Sequence, residues 1–195
     1  MHEKTRNLAL AAIFLALILL LGLTPIGLIP LGFVNVTTLC IPVIVGTLLL
    51  GLKTGLVLGL CFGAISAMSA FGIYGTPSAL ASALVAASPV LAAVMCFLPR
   101  LLIPVTTHFV YKLIARDREA YVRAVPVAAV AGSLTNTVFY LGLMLLFYVI
   151  MGINSEKVMA LIGGTGLIAG TSEAIVAALL STPILAALWK LTKKK

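Results

Sequence analysis

Apolar residues occur in this chain in long continuous runs, separated by short segments rich in glycine, proline or charge. A helix needs about 20 apolar residues to cross the hydrocarbon core of a bilayer, at about 1.5 Å per residue. The runs therefore predict an all-α integral membrane protein with six transmembrane helices and a single membrane domain over residues 1–195. We place the spans at approximately residues 7–23, 37–50, 55–71, 89–115, 125–151 and 166–190.

The breaks between the runs predict further local structure. The segment 24–36 carries two prolines and no charge, which predicts an irregular loop that rests against protein at membrane depth. Residues 79–87 are rich in alanine and predict a short helix within the next loop. Ser88 and Pro89 then form a typical helix start, with serine as the N-cap and proline at the first helical position. In the third span, small residues recur at four-residue spacing and predict close packing against another helix, at Gly55, Gly59 and Gly63.

Composition and charge agree with a membrane protein. Hydrophobic residues make up 62% of the chain and charged residues only 9%, whereas a soluble domain has about 25% charged residues. The net charge of +8 does not indicate nucleic-acid binding, because the lysines and arginines flank apolar runs and form no basic face on a soluble surface. With both termini in the cytoplasm, 11 of the 13 lysines and arginines lie on the cytoplasmic side. The positive-inside rule therefore predicts an N-in, C-in topology.

The chain lacks convincing signatures of catalysis, metal binding or cofactor binding. Its three cysteines, Cys40, Cys61 and Cys96, stand alone in apolar runs with no paired spacing. The glycines at 164, 166 and 170 resemble a phosphate loop, but no strand precedes them and no Gly-Lys-Ser/Thr follows, so we interpret them as a helix break. We therefore expect a protein that is not an enzyme and that holds neither a cofactor nor a metal.

Three polar residues interrupt the apolar spans of the second half of the chain. Counted from the flanking basic residues at about 1.5 Å per residue, Arg100 lies roughly 18 Å, Asn136 roughly 20 Å and Glu173 roughly 25 Å above the cytoplasmic edge. A charge at this depth costs roughly 2.5–3.5 kcal/mol and so usually has a partner or a task. One interpretation is a structural Arg100–Glu173 ion pair with Asn136 as an interhelical hydrogen-bonding group. The other is a polar pocket, open to the outside, in which Arg100 binds a carboxylate or phosphate.

Several local patterns are similar to those of one known family. Helix one carries an Ala-xxx-Ala motif at Ala12 and Ala16. The more specific patterns are Pro30-Leu-Gly-Phe-Val-Asn-Val-Thr-Thr, Ile41-Pro-Val-Ile-Val-Gly, Leu50-Gly-Leu-Lys-Thr-Gly55, Pro99-Arg100 and Gly132-Ser-Leu-Thr-Asn-Thr137. Together with the length and the basic ends, they make the whole chain resemble the S components of energy-coupling factor (ECF) vitamin transporters. Within that family the chain most resembles the pantothenate branch.

The resemblance implies a function, a site and partners. An S component binds a water-soluble vitamin near the outer face of the cell membrane of a prokaryote. The resemblance implies that Ala12 and Ala16 dock against a membrane coupling protein, which works with two cytoplasmic ATPases that supply the energy. The substrate-binding residues that we expect are Asn35, Tyr74, Arg100, Asn136 and Glu173.

Two alternatives remain open. One is an S component for another vitamin such as riboflavin, although the few aromatic residues near the expected pocket favour an aliphatic acid. The other is a proton-coupled secondary transporter of a small organic acid that uses Glu173 as the relay. Such transporters often contain inverted repeats with broken helices at matching positions, and the two halves of this chain have no convincing repeat.

Overall fold

The computed structural model describes residues 3–24, 27–30, 35–75, 77–115, 121–153, 156–161, 164 and 166–193. The helices in these ranges are α1 (Glu3–Gly22), α2 (Cys40–Leu50), α3 (Leu52–Ala70), α4 (Ala79–Ala87), α5 (Pro89–Ile114), α6 (Tyr121–Ile150), α7 (Glu156–Leu161) and α8 (Leu167–Lys193). Two short strands, β1 (Leu28–Pro30) and β2 (Asn35–Thr37), lie between α1 and α2. The regular secondary structure of the described ranges is therefore helical except for one small pair of β-strands.

Five of these helices are long and apolar enough to cross a membrane. Their apolar spans are Lys4–Gly22, Leu52–Ala70, Pro89–Ile114, Arg123–Ile150 and Ile168–Leu191. The second predicted span, residues 37–50, corresponds to α2, which begins only at Cys40 and has 11 residues. At about 1.5 Å per residue, α2 is about half as long as the hydrocarbon core is thick.

The loop predicted for residues 24–36 is not wholly irregular, because it contains two short strands within the helical fold. Strands β1 and β2 pair antiparallel, with Leu28 opposite Thr37, Ile29 opposite Val36 and Pro30 opposite Asn35. Pairing gives main-chain N–H and C=O groups partners within the protein, which unpaired backbone at membrane depth would lack. The main-chain amide of Thr38 also donates to the carbonyl of Gly27 at 3.1 Å, which extends the hairpin by one bond.

Helix α2 lies in the centre of the larger apolar core. Seven of its residues are buried, among them Val43, Ile44 and Val45. They form one cluster with buried residues of neighbouring helices, including Phe62 of α3 and Leu185 of α8. A helix buried on most of its surface has little contact with lipid, so it can be shorter than a full span.

The glycines of α3 allow it to approach α5 very closely, as the small-residue spacing predicted. A Cβ atom added at Gly59 would lie 2.6 Å from the carbonyl oxygen of Arg100. One at Gly55 would lie 2.8 Å from Cβ of Pro104, and one at Gly63 would lie 2.7 Å from Cδ1 of Phe97. The contact extends over three successive turns of α3, so it fixes the position of Arg100 along the axis of α3.

The start of α5 is also as predicted. Ser88 is the N-cap of α5, and its hydroxyl accepts a hydrogen bond from the amide of Leu91 at 3.4 Å. Pro89 occupies the first turn, and α5 continues through Pro99 and Pro104 to Ile114. The cap fixes where the helix begins, and the 26 residues of α5 then carry Arg100 into the interior of the domain.

Candidate polar binding site

Arg100 is buried inside the helical domain. Its side chain is 5% exposed, and its Nη1 donates to the main-chain carbonyl of Met95, one turn back along α5, at 3.1 Å. Its Nε is buried and has no hydrogen-bond partner among the described residues. An arginine side chain has five N–H donors, and a buried donor without an acceptor costs about 1–3 kcal/mol. The side chain thus retains donor capacity for a ligand.

Two aromatic rings from different helices contact the guanidinium group of Arg100. Its Cζ lies 4.5 Å from the ring centroid of Tyr140 on α6 and 5.2 Å from that of Phe62 on α3. A cation over the face of an aromatic ring is attracted by the negative charge of that face. The rings therefore stabilise the charge of Arg100 without using any of its N–H donors.

Asn136 lies one turn before Tyr140 on the same face of α6. It is 4% exposed, and its Oδ1 is buried without a donor among the residues that the structure describes. Residues four apart on a helix are neighbours on its surface, so Asn136 and Tyr140 share the face directed at α5. The site thus has an unpartnered acceptor at Asn136 as well as an unpartnered donor at Arg100.

Glu173 on α8 is bonded to the hairpin. Its Oε1 accepts the main-chain N–H of Thr37 at 2.6 Å, and its carboxylate also interacts with the side chain of Thr137 on α6. Arg100 is near enough to interact electrostatically with Glu173, but the two do not form an ion pair in the described part of the chain. The carboxylate balances part of the charge of Arg100 without accepting a hydrogen bond from it.

The comparisons with known proteins place the chain in a family. The family model described as "ECF transporter, substrate-specific component" matches residues 6–185. The chain belongs to this family. A similar protein is the pantothenic acid transporter PanT of Lactococcus lactis subsp. cremoris (strain MG1363), which is 33% identical over 201 residues. The alignment covers 96% of this chain and 96% of that protein. The resemblance read from the sequence motifs is confirmed, and the chain is the substrate-binding subunit of an ECF transporter.

In this S component, α6 connects the three polar residues that the sequence placed deep in the membrane. Within residues 136–140 of α6, the ring of Tyr140 contacts the guanidinium group of Arg100, and the side chain of Thr137 interacts with the carboxylate of Glu173. Asn136 belongs to the same stretch of α6. Helix α8 approaches α6 at this height, because a Cβ atom added at Gly170 would lie 2.7 Å from Cγ2 of Thr137. A cation, an amide and a carboxylate from three helices thus lie around this stretch of α6.

The other expected site residues lie elsewhere or outside the described atoms. Tyr74 lies in the loop after α3, and its hydroxyl donates to the main-chain carbonyl of Leu23 at the end of α1. Within the residues described, no hydrogen bond or ring contact links Tyr74 to Arg100. The main chain of Asn35 pairs with Pro30 in the hairpin, but its side chain is outside the described part of the structure. Ala12 and Ala16 are exposed on α1, four residues apart.

Sequence reasoning missed Phe62 and Thr37. Phe62 follows Gly59 by three residues, so the glycine face that packs on Arg100 was a usable signal for it. Thr37 contributes through its main-chain N–H, and no side-chain pattern in the sequence could have indicated that contact.

Proposed function

We propose that this S component binds pantothenate, with Arg100 as the partner of its carboxylate. The observation that carries the proposal is the complementary pair of buried, unpartnered groups, the donor Nε of Arg100 and the acceptor Oδ1 of Asn136. Pantothenate has a carboxylate at one end and an amide and hydroxyl groups along the rest of its length. It can therefore supply an anion to Arg100 and a hydrogen-bond donor to Asn136. The name of the Lactococcus relative agrees with this substrate.

In this proposal Glu173 and Asn136 bind the neutral part of the vitamin. Asn136 accepts from an amide or hydroxyl of the ligand, and Glu173 accepts from a hydroxyl while it holds the hairpin. Asn35 and Tyr74 contribute from the loops on the outer side. A buried polar group left without a partner is costly, so a ligand that satisfies these groups gains both affinity and specificity.

We further propose six membrane-embedded segments with both termini in the cytoplasm. Helix α2 and the preceding hairpin together form the segment that completes the six. In this arrangement they run from the outer side of the membrane to Lys53 at the start of α3. The charges favour this arrangement, because Lys4, Arg123 and Lys190 all lie at the cytoplasmic ends of their helices in it. The substrate site then lies in the outer half of the bilayer. Cysteines introduced one at a time at Lys53 and at Ala83, in a chain whose three native cysteines are replaced, should react with impermeant reagents from opposite sides of the membrane.

The proposed partners are a membrane coupling protein, docked at Ala12 and Ala16, and two cytoplasmic ATPases. The membrane is the plasma membrane of a prokaryotic cell. Pantothenate uptake into vesicles should then require the ATPases together with internal ATP, whereas binding should not. Uptake by the isolated chain under a proton gradient alone would instead indicate a secondary transporter.

Equilibrium binding to the purified chain tests the substrate. A panel with pantothenate, its alcohol analogue and riboflavin is added to the protein in detergent, without nucleotide. We expect pantothenate to bind most tightly, the alcohol analogue to bind more weakly because it has no anion for Arg100, and riboflavin to show no binding. Tight binding of riboflavin, or equal affinity for the acid and the alcohol, would contradict the proposal.

A further inference from the structure

The guanidinium group of Arg100 has N–H donors that no described protein group accepts. A guanidinium can hold two carboxylate oxygens end-on, through Nη1 and Nη2, or side-on, through Nε and Nη2. Nη1 already donates to the carbonyl of Met95 at 3.1 Å. Nε has no protein partner among the described residues. Since each Nη carries two N–H groups, the bond to Met95 uses only one of the five donors of Arg100, and the guanidinium keeps two donors on one edge for a carboxylate.

Two aromatic contacts restrict the orientation of the guanidinium group. The ring centroid of Tyr140 on α6 lies 4.5 Å from Cζ of Arg100, and that of Phe62 on α3 lies 5.2 Å from it. Their attraction acts on the face of the guanidinium and not on its edges. The close approach of Gly59 to the carbonyl of Arg100 keeps α3, and with it Phe62, at this distance.

We propose that Phe62 and Tyr140 are positioning residues, which hold the guanidinium plane of Arg100 so that one edge with two N–H donors receives the carboxylate of the substrate. The inference rests on the proposed function, since it assumes that Arg100 binds the carboxylate of the vitamin. It adds two residues that determine specificity without touching the carboxylate.

The consequence concerns discrimination between acid and alcohol more than overall affinity. A carboxylate accepts from two N–H groups on one edge of the guanidinium, and the parallel geometry of these groups favours a planar anion. A single hydroxyl needs only one donor, so its binding depends little on the orientation of the guanidinium group. Removal of either ring therefore weakens binding of the acid and has little effect on binding of the alcohol.

The test measures the ratio of the two affinities in each of six purified variants. The variants are Tyr140→Leu, Phe62→Leu, Tyr140→Phe, Arg100→Gln, the double variant Arg100→Gln/Tyr140→Leu and the control Phe139→Leu. Phe139 is next to Tyr140 on α6 but is 44% exposed, away from the core. Both ligands are measured on the same protein sample, so a loss of folded protein cancels in the ratio.

We expect Tyr140→Leu and Phe62→Leu each to lower the preference for the acid by about three- to thirty-fold, the range that corresponds to one cation–π contact. Tyr140→Phe keeps the ring and should keep the preference, as should Phe139→Leu. In an Arg100→Gln background, Tyr140→Leu should cause no further loss of preference, because the group that the ring positions is gone.

Two outcomes would contradict the proposals, and they are distinguishable. If Arg100→Gln abolishes the preference while both leucine variants retain it, the positioning role is wrong and the proposed function stands. If Arg100→Gln itself retains the preference, the carboxylate is bound elsewhere and the proposed site fails together with this inference. Should Phe62→Leu bind neither ligand, Tyr140→Leu decides, since its side chain is less deeply buried than that of Phe62.

Discussion

The main-chain amide of Thr37 donates a hydrogen bond to Oε1 of Glu173 across 2.6 Å, although the two residues are 136 positions apart in the chain. Thr37 is the last residue of β2, directly before the turn into α2, and Glu173 lies in the second turn of α8. One carboxylate thus joins the hairpin that follows α1 to the last helix of the domain, beside the polar binding site.

Removal of the Glu173 carboxylate should release the hairpin. We expect Glu173→Ala to cost about 1–3 kcal/mol at this contact, because the Thr37 amide loses its acceptor. Glu173→Gln should cost less, since the amide oxygen still accepts but without charge. Hydrogen exchange of the peptide that contains Thr37 measures the effect, and exchange should be fastest in Glu173→Ala.

The control for this experiment is Ser172→Ala, one position away on α8. The hydroxyl of Ser172 is exposed and donates to the carbonyl of Ala169 within its own helix. Its removal should leave exchange at Thr37 unchanged. Unaltered exchange in Glu173→Ala would mean that the strand pairing alone holds the hairpin in place.

A methyl group at Gly59 should displace Arg100. The added Cβ would lie 2.6 Å from the carbonyl oxygen of Arg100, and a main-chain atom of a packed helix cannot move aside cheaply. We expect Gly59→Ala to destabilise the protein by about 1–3 kcal/mol and to lower substrate affinity. Thermal unfolding and equilibrium binding measure the two effects.

Gly142 on α6 provides the matched control, because a Cβ there would meet nothing within 4 Å. Gly142→Ala should stabilise its helix by up to about 1 kcal/mol through the higher helix propensity of alanine. If Gly59→Ala also stabilises the protein, α3 and α5 are not packed as tightly as the structure indicates.

Much of the fold follows from patterns that the sequence carries openly. Long apolar runs gave the five long helices, Ser88 and Pro89 gave the start of α5, and the spacing of Gly55, Gly59 and Gly63 indicated the contact with α5. Each of these signals is local or periodic. Arg100, Asn136 and Glu173 were conspicuous for a different reason, because polar residues are costly within an apolar span.

What the sequence did not indicate depends on contacts between distant segments. Strands of three residues, such as β1 and β2, are too short to show a period of two. The length of α2 depends on its burial among other helices, which a run of apolar residues does not reveal. The bond between Thr37 and Glu173 uses a main-chain donor, and every residue except proline has one.

Bulky substitutions at Ala12 or Ala16 should separate binding from transport. Both residues are exposed on α1, while Phe14 and Ile18 of the same helix are buried in the core. A tryptophan at Ala16 should therefore leave the domain and its affinity for pantothenate intact. It should lower ATP-dependent uptake at least tenfold by keeping the partner helix from approaching closely.

Ala187→Trp is the matched control, since Ala187 is an exposed alanine on α8 within a membrane span. It should keep both binding and uptake. Equal loss of binding and uptake in Ala16→Trp would show that this face of α1 packs within the S component itself. Co-purification of the coupling protein with each variant gives an independent readout of docking.

The last prediction separates a substrate-binding Arg100 from one that serves only as the structural partner of Glu173. Arg100→Lys keeps the charge but loses the planar edge with two donors, so affinity for pantothenate should still fall. Arg100→Gln removes a buried charge-assisted contact, which costs on the order of 2–5 kcal/mol, or roughly 30-fold to several thousand-fold in affinity.

The double variant Arg100→Gln/Glu173→Gln decides between the two roles. If the residues only balance each other, Arg100→Gln alone leaves an uncompensated carboxylate and destabilises the protein, and the second substitution restores both stability and affinity. The structure favours the other result, since Nη1 of Arg100 donates to Met95 and Glu173 accepts from Thr37, without an ion pair between them among the described residues. We therefore expect the double variant to bind pantothenate no better than Arg100→Gln and to recover at most part of the stability that Arg100→Gln loses in thermal unfolding. Recovery of wild-type affinity in the double variant would mean that Arg100 does not contact the substrate.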